Sequence, residues 1–226
     1  MLVSSACGLI AAATHPASAA PAIAPELLRQ AREALDRHSA QIPNRDLIAV
    51  ADFSLPSCLP RFHLVDVAAG RVTSHLVAHG RGSDPRHTGW LERFSNDPGS
   101  HATSAGAYRT DGFYTGAHGR SIRLSGLDPS NDNALKRAIV VHGAWYVSEV
   151  MAASHGVLGR SEGCFALSAL SLNSIMERMG PGHMIYSGKI GGQAGGPPPS
   201  RSSEERRTRR TMSARRPPGR TPTNDS

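Results

Sequence analysis

Apolar and polar positions alternate along this chain with two different periods. From Pro25 to His38 the apolar residues are Leu27, Leu28, Ala31, Ala34 and Leu35, with Arg29, Arg32, Glu33 and Asp36 between them. That 3.6-residue spacing predicts an amphipathic helix, with Pro25 in its first turn, packed on the body of the protein. Asp46 to Ser54, Arg61 to Val67 and Arg71 to His79 are rich in Val, Ile, Leu and Phe and are punctuated by Pro56, Pro60 and Ala69-Gly70. They predict three strands of an antiparallel meander. Tyr108 to Leu124 predicts two short strands around Gly116 and Gly119. Ala138 to His142 predicts a buried strand ending on the histidine, followed by a loop or short helix over 145–154. Ser168 is placed to cap a helix over 169–179, which Gly180-Pro181 ends, and Met184 to Tyr186 predicts a last strand. The sum is one β-rich α+β domain over 46–190, preceded by a linker and helix over 20–45.

Between the third and fourth predicted strands, residues 81–106 are polar and rich in Gly, Ser, Asp and Asn. This is long for a connection in a compact domain, and such loops usually carry function. Residues 1–19 are uncharged and rich in Ala and Ser, and Ala17-Ser18-Ala19 fits the cleavage pattern of a secretory leader, although no Lys or Arg precedes Arg29. The sequence therefore favours export to the periplasm or cell envelope over a cytosolic protein with an apolar N-terminus, and predicts no membrane-spanning segment after the leader.

Charge changes the picture only at one end. The chain of 226 residues has a formal net charge of +7. Five of those charges come from residues 191–226, where eight arginines face Glu204, Glu205 and Asp225 in a stretch almost free of large apolar residues. That composition predicts a disordered basic tail, either a dispensable terminus or one suited to anionic envelope polymers; the body is not basic enough to predict a nucleic-acid partner. Cys7, Cys58 and Cys164 make no disulfide framework.

Candidate chemistry concentrates between Val140 and Ala166. A strand-end His142-Gly143 is followed 22 residues later by Cys164 on the turn Gly159-Arg160-Ser161-Glu162-Gly163. A thiol acts as a nucleophile when deprotonated, an imidazole is the usual base for it, and glycines let backbone amides converge on an oxyanion. Spacing alone leaves both a base–nucleophile pair and an inert buried cysteine open. The eleven histidines include no His-Glu-x-x-His, so neither a metal nor another cofactor is predicted.

The same stretch resembles the active-site region of the murein L,D-transpeptidase catalytic domain family (YkuD-type), in which His-Gly precedes a Ser-x-Gly-Cys loop. The resemblance runs through Ala49-Asp52-Phe53-Ser54, His79-Gly80-Arg81-Gly82-Ser83, Phe94-Ser95-Asn96, Tyr114 to Ser121 and Leu124 to Leu127. It covers roughly residues 45 to 190. Glu162 stands where better-known members have histidine, and Phe165 where this branch usually has proline. The resemblance implies a predominantly β, α+β fold, an L,D-transpeptidase-like sandwich or barrel sheet with a few flanking helices. It implies a transpeptidase acting on peptidoglycan stem peptides, with Cys164 as nucleophile, His142 as base and the Gly143 carbonyl orienting the imidazole. Amides of Glu162, Gly163 and Cys164 would form the oxyanion hole. Ser161 and Arg160 would bind substrate or hold the loop, and Tyr114 and His118 would line the acyl-donor cleft. Glu162 is expected to raise the thiol's pKa, or to turn outward and meet Arg160. Trimming by water as an L,D-carboxypeptidase, and a wall-binding module that has lost the chemistry, remain alternatives.

Overall fold

The computed structural model describes residues 22–191; the predicted leader, and the predicted basic tail from residue 192 on, lie outside the described residues. Helix α1 (Pro25–Arg37) has proline in its first turn. Leu27, Ala31, Ala34 and Leu35 fall on one stripe and are buried, while Glu26, Arg29 and Glu33 link to each other on the solvent side. The stripe packs on Ile48, Val50, Ala107 and Met184. Burying a leucine in this way contributes about 1.5–3 kcal/mol. The helix is a wall of the core, as its period predicted.

The strands are β1 (Leu47–Asp52), β2 (Phe62–Asp66), β3 (Val72–His75), β4 (Gly106–Gly116), β5 (Gly119–Gly126), β6 (Val140–Gly143), β7 (Phe165–Leu167) and β8 (Met184–Gly188). Helices α2 (Glu149–His155) and α3 (Ala169–Arg178) flank β7 in the chain. The strands form one sheet in the order β3-β2-β1-β8-β4-β5-β6-β7. The predicted meander is present as antiparallel β1–β2–β3, and β1 also pairs parallel to β8. β1 is buried along its whole length because both faces are covered: Ala49 and Ala51 face the main core, Ile48 and Val50 face α1.

Two features differ from the expectation. β4 and β5 are a long hairpin of 11 and 8 residues rather than two short strands. β7 is a strand that the hydrophobic pattern did not announce, because three residues are too few to show an alternation. β7 is nevertheless central to the site. Its outer edge meets the segment after β3, with Ala78 bridged to Ala166 and Gly80 to Ser161, so the two edges of the sheet come together.

That junction rests on a buried polar cluster. Arg61, fully buried, donates to the carbonyls of Leu55 and Val77 and to His79 Nδ1 at 2.6 Å. The proton of His79 is thereby placed on Nε2, 3.4 Å from Asp84 Oδ2. Asp84 accepts from the amides of Thr88 and Gly89, both at 2.8 Å. Burial lowers the Arg61 pKa to about 9, against the pull of Cys58, Asp52 and Asp84, so it stays a cation at neutral pH.

Candidate active site

β6 and β7 run parallel, with Val141 opposite Phe165 and His142 opposite Ala166. Cys164, one residue ahead of β7, is therefore level with Val140. Side chains alternate along each strand. Val141, Phe165 and Leu167 enter the main core, where Phe165 stacks on Phe53 and meets the Tyr108 ring edge-on. Val140, His142 and Cys164 accordingly share the opposite face, with Cys164 and His142 as diagonal neighbours. β7, too short to be seen in the sequence, sets Cys164 beside the predicted strand that ends on His142.

His142 is buried, and its Nδ1–H donates to the Gly143 carbonyl at 3.0 Å. That bond leaves the lone pair on Nε2. The His118 ring, carried by the turn between β4 and β5, stacks on it with centroids 4.3 Å apart. Burial pushes the His142 pKa below the ordinary imidazole value; the Gly143 carbonyl opposes this and His118 adds to it. Cys164 is 8% exposed, and its thiol donates to Ala138 O at 3.6 Å. Burial pushes the thiol above its ordinary value. The Val140 amide and the charge of Arg137 pull it down, and Glu162 raises it least of the four. At neutral pH, then, thiol and imidazole are both uncharged.

The turn before the cysteine is held from two sides. Ser161 donates its hydroxyl to the Cys164 carbonyl at 2.7 Å and accepts from the Gly163 amide at 3.2 Å. Arg160 donates to the carbonyls of Asp84 and Pro85. Both polar side chains are thus engaged within the protein. Glu162 does turn outward, but it meets Arg81 at 2.8 Å, together with His101, and not Arg160. The physical reason is the bridge of Gly80 to Ser161, which lays Arg81 beside the turn while Arg160 faces inward. The effect of Glu162 on the thiol is correspondingly small, and burial is the larger influence. Gly80 itself is required by close approach: a Cβ there would lie 2.7 Å from the Gly163 Cα. Gly163 has φ +118°, and a Cβ would meet Ala102 O at 2.8 Å.

Register carries the site across the hairpin. Tyr114 is opposite Ser121, and Ser121 is opposite His142, so the three form a row on one face. Arg123, opposite Val140, shares that face and lies 4.9 Å over the Tyr114 ring. Two clefts flank the pair. One, of about 340 Å³, is lined by Pro98, Gly99 and His101 of the long polar loop with Lys136, Arg137 and Glu162. The other, of about 480 Å³, lies at the end of β6 between His118, Arg120, Gly143, Trp145 and the start of α3. Sequence reasoning missed Arg123, Arg137 and Arg81. Arginines in and beside strands look like solvated positions until their neighbours in space are known.

The description of the L,D-transpeptidase catalytic domain matches residues 19–187 of this chain. Among solved structures, an L,D-transpeptidase from Mycobacterium smegmatis is 15% identical, with 63% of this chain and 58% of that one covered and a TM-score of 0.39. An L,D-transpeptidase from Mycobacterium tuberculosis H37Rv is 13% identical, covering 63% and 57%, with a TM-score of 0.39. L,D-transpeptidase 3 from Mycobacterium tuberculosis, in complex with a faropenem-derived adduct, is 13% identical, covering 63% and 60%, with a TM-score of 0.38. The chain spans about three fifths of the length of these structures. No curated protein matches it.

Proposed function

Given that this chain belongs to the L,D-transpeptidase catalytic domain family, we propose that it is an exported cysteine transpeptidase acting on peptidoglycan stem peptides. One observation carries the proposal. His142 and Cys164 share a face of adjacent parallel strands, and the bond from Nδ1 to Gly143 leaves Nε2 free as a base.

In the proposed cycle His142 Nε2 takes the thiol proton as Cys164 Sγ attacks the carbonyl at the L-centre of diaminopimelate. The amides of Glu162 and Cys164 serve the oxyanion, since that of Gly163 is held by Ser161. The imidazolium passes its proton to the amine of the terminal D-residue, the C–N bond breaks, and a thioester remains. An acceptor amine then attacks the thioester, His142 accepts its proton, and the thiol is restored. Water in place of the amine gives carboxypeptidase trimming. In this scheme residues 1–19 are a leader and 46–190 the catalytic domain. The basic tail from residue 191 holds anionic envelope polymers.

A second reading, a wall-binding module without chemistry, is favoured by the thiol's bond to Ala138 O and its raised pKa. Incubation with a soluble tetrapeptide stem separates the readings. The enzyme releases the terminal D-residue without added metal and in EDTA, and Cys164→Ser and His142→Ala release none. Release by Cys164→Ser would defeat the cysteine mechanism, and no release by the wild type would favour the binding module.

A further inference from the structure

Arg123 makes no ion pair or hydrogen bond among the described residues; its guanidinium lies over the Tyr114 ring, 4.9 Å from the centroid. It shares a sheet face with His142 and Cys164. Its row includes Val140, level with Cys164, and its head leans over the neighbouring row of Tyr114, Ser121 and His142. Two arginines near the thiol are committed elsewhere. The terminal nitrogens of Arg137 donate to Ser95 O, Ser104 Oγ, Ser100 Oγ and Ala102 O, and Arg81 is taken by Glu162. On the sheet face that carries His142 and Cys164, Arg123 thus presents an unneutralised, planar, oriented donor, while Arg120, likewise without a partner among the described residues, lines the cleft at the end of β6.

We infer that Arg123 is the specificity-determining carboxylate anchor of this site, holding the carboxylate that sits on the same carbon as the amine addressed by His142. This deepens the transpeptidase reading and rests on it. The leaving terminal D-residue bears amine and carboxylate on one carbon. So does the free D-centre of a diaminopimelate side chain arriving as acceptor. One guanidinium beside the base serves both half-reactions, which occupy the same place in turn. A guanidinium fork matches a carboxylate in two parallel bonds, and stacking on Tyr114 fixes its plane. The Tyr114–Arg123 pair therefore gives the hairpin a recognition role.

The test compares D-alanine with D-alaninamide as acceptors, and stems ending in D-alanine with stems ending in D-alaninamide. Wild type is expected to prefer the free acids by about 10- to 100-fold in kcat/KM, the scale of a hydrogen-bonded charge. In Arg123→Gln the acid-to-amide ratio falls toward one, and Arg123→Lys is intermediate. An undiminished ratio in Arg123→Gln overturns the anchor. An arm independent of turnover uses alkylation, in which the Cys164 thiolate displaces iodide, followed at Cys164 by peptide mapping. The rate with iodoacetate relative to iodoacetamide is expected to fall several-fold in Arg123→Gln at low salt, and no change overturns the anchor. If wild type acts on no stem, the transpeptidase reading fails while the alkylation ratio still decides for or against Arg123.

Discussion

Cys164 and His142 are both held in their uncharged forms by burial, and that fixes the expected pH dependence. The proposed cycle needs neutral imidazole to accept the thiol proton, so activity falls as His142 becomes protonated. Because its pKa is lowered, the acid limb of kcat/KM should lie below the ordinary imidazole value of about 6.5. The alkaline limb, where the imidazolium needed by the leaving amine is gone, should lie above the ordinary thiol value of about 8.5, because burial raises Cys164. A stopped assay over pH 5 to 10 checks both limbs, and an acid limb above 7 would count against the assignment. Gly163→Ala is expected to reduce kcat/KM by roughly 100-fold, since the added methyl meets Ala102 O and displaces the neighbouring nucleophile. The pairing of a histidine with a glycine-flanked cysteine was visible in the chain. Its chemistry was less so, because the chain shows Glu162 beside the thiol while the larger influence, burial, belongs to the fold. Arg123 was invisible for a similar reason, since nothing local distinguishes it from a solvated strand arginine.

Elements with their own local signals came out of the sequence with their roles. α1 is legible because Leu27, Ala31, Ala34 and Leu35 keep one stripe. α3 is legible because Ser168 is followed by Leu172, Ile175 and Met176. The Ser168 hydroxyl accepts from the Ser171 amide at 3.1 Å, so Ser168→Ala should cost about 1 kcal/mol in urea unfolding. Leu27→Ala should cost about 2–5 kcal/mol by the same measurement, because a void opens against Met184 and Ile48. β7 has no such signal. Its place is fixed by partners far off in sequence, Val141 on one side and Ala78 on the other. The bridge from Gly80 to Ser161, which brings Arg81 to Glu162, is likewise a product of sheet closure and not of local pattern.

Across the whole molecule, closure of the sheet requires charged and polar groups inside it. His63 and His79 have pKa values lowered to about 4, chiefly by burial. Unfolded histidines titrate near 6.5, so between 6.5 and 4 the unfolded chain binds more protons and stability falls with pH. The expected loss is on the order of 2–3 kcal/mol per histidine, read as a drop in urea midpoint between pH 7 and pH 4.5. An unchanged midpoint would mean that neither ring is buried uncharged. The architecture that makes this cluster was foreseen as a β-rich α+β domain; the cluster was not, since Arg61 and Asp84 are types that seldom lie fully buried. The proposed role of the basic tail belongs to this scale too. Truncation after Lys189 should weaken envelope binding at low salt and make no difference at 1 M salt, where the Debye length is about 3 Å. The central claim, however, is that Cys164 forms a covalent acyl intermediate with help from His142. Intact-mass measurement after exposure to a carbapenem tests it most directly. The account predicts one stoichiometric adduct mapping to Cys164, slowed at least 100-fold in His142→Ala and absent in Cys164→Ala. An unmodified wild type, or an adduct that persists in Cys164→Ala, would contradict it.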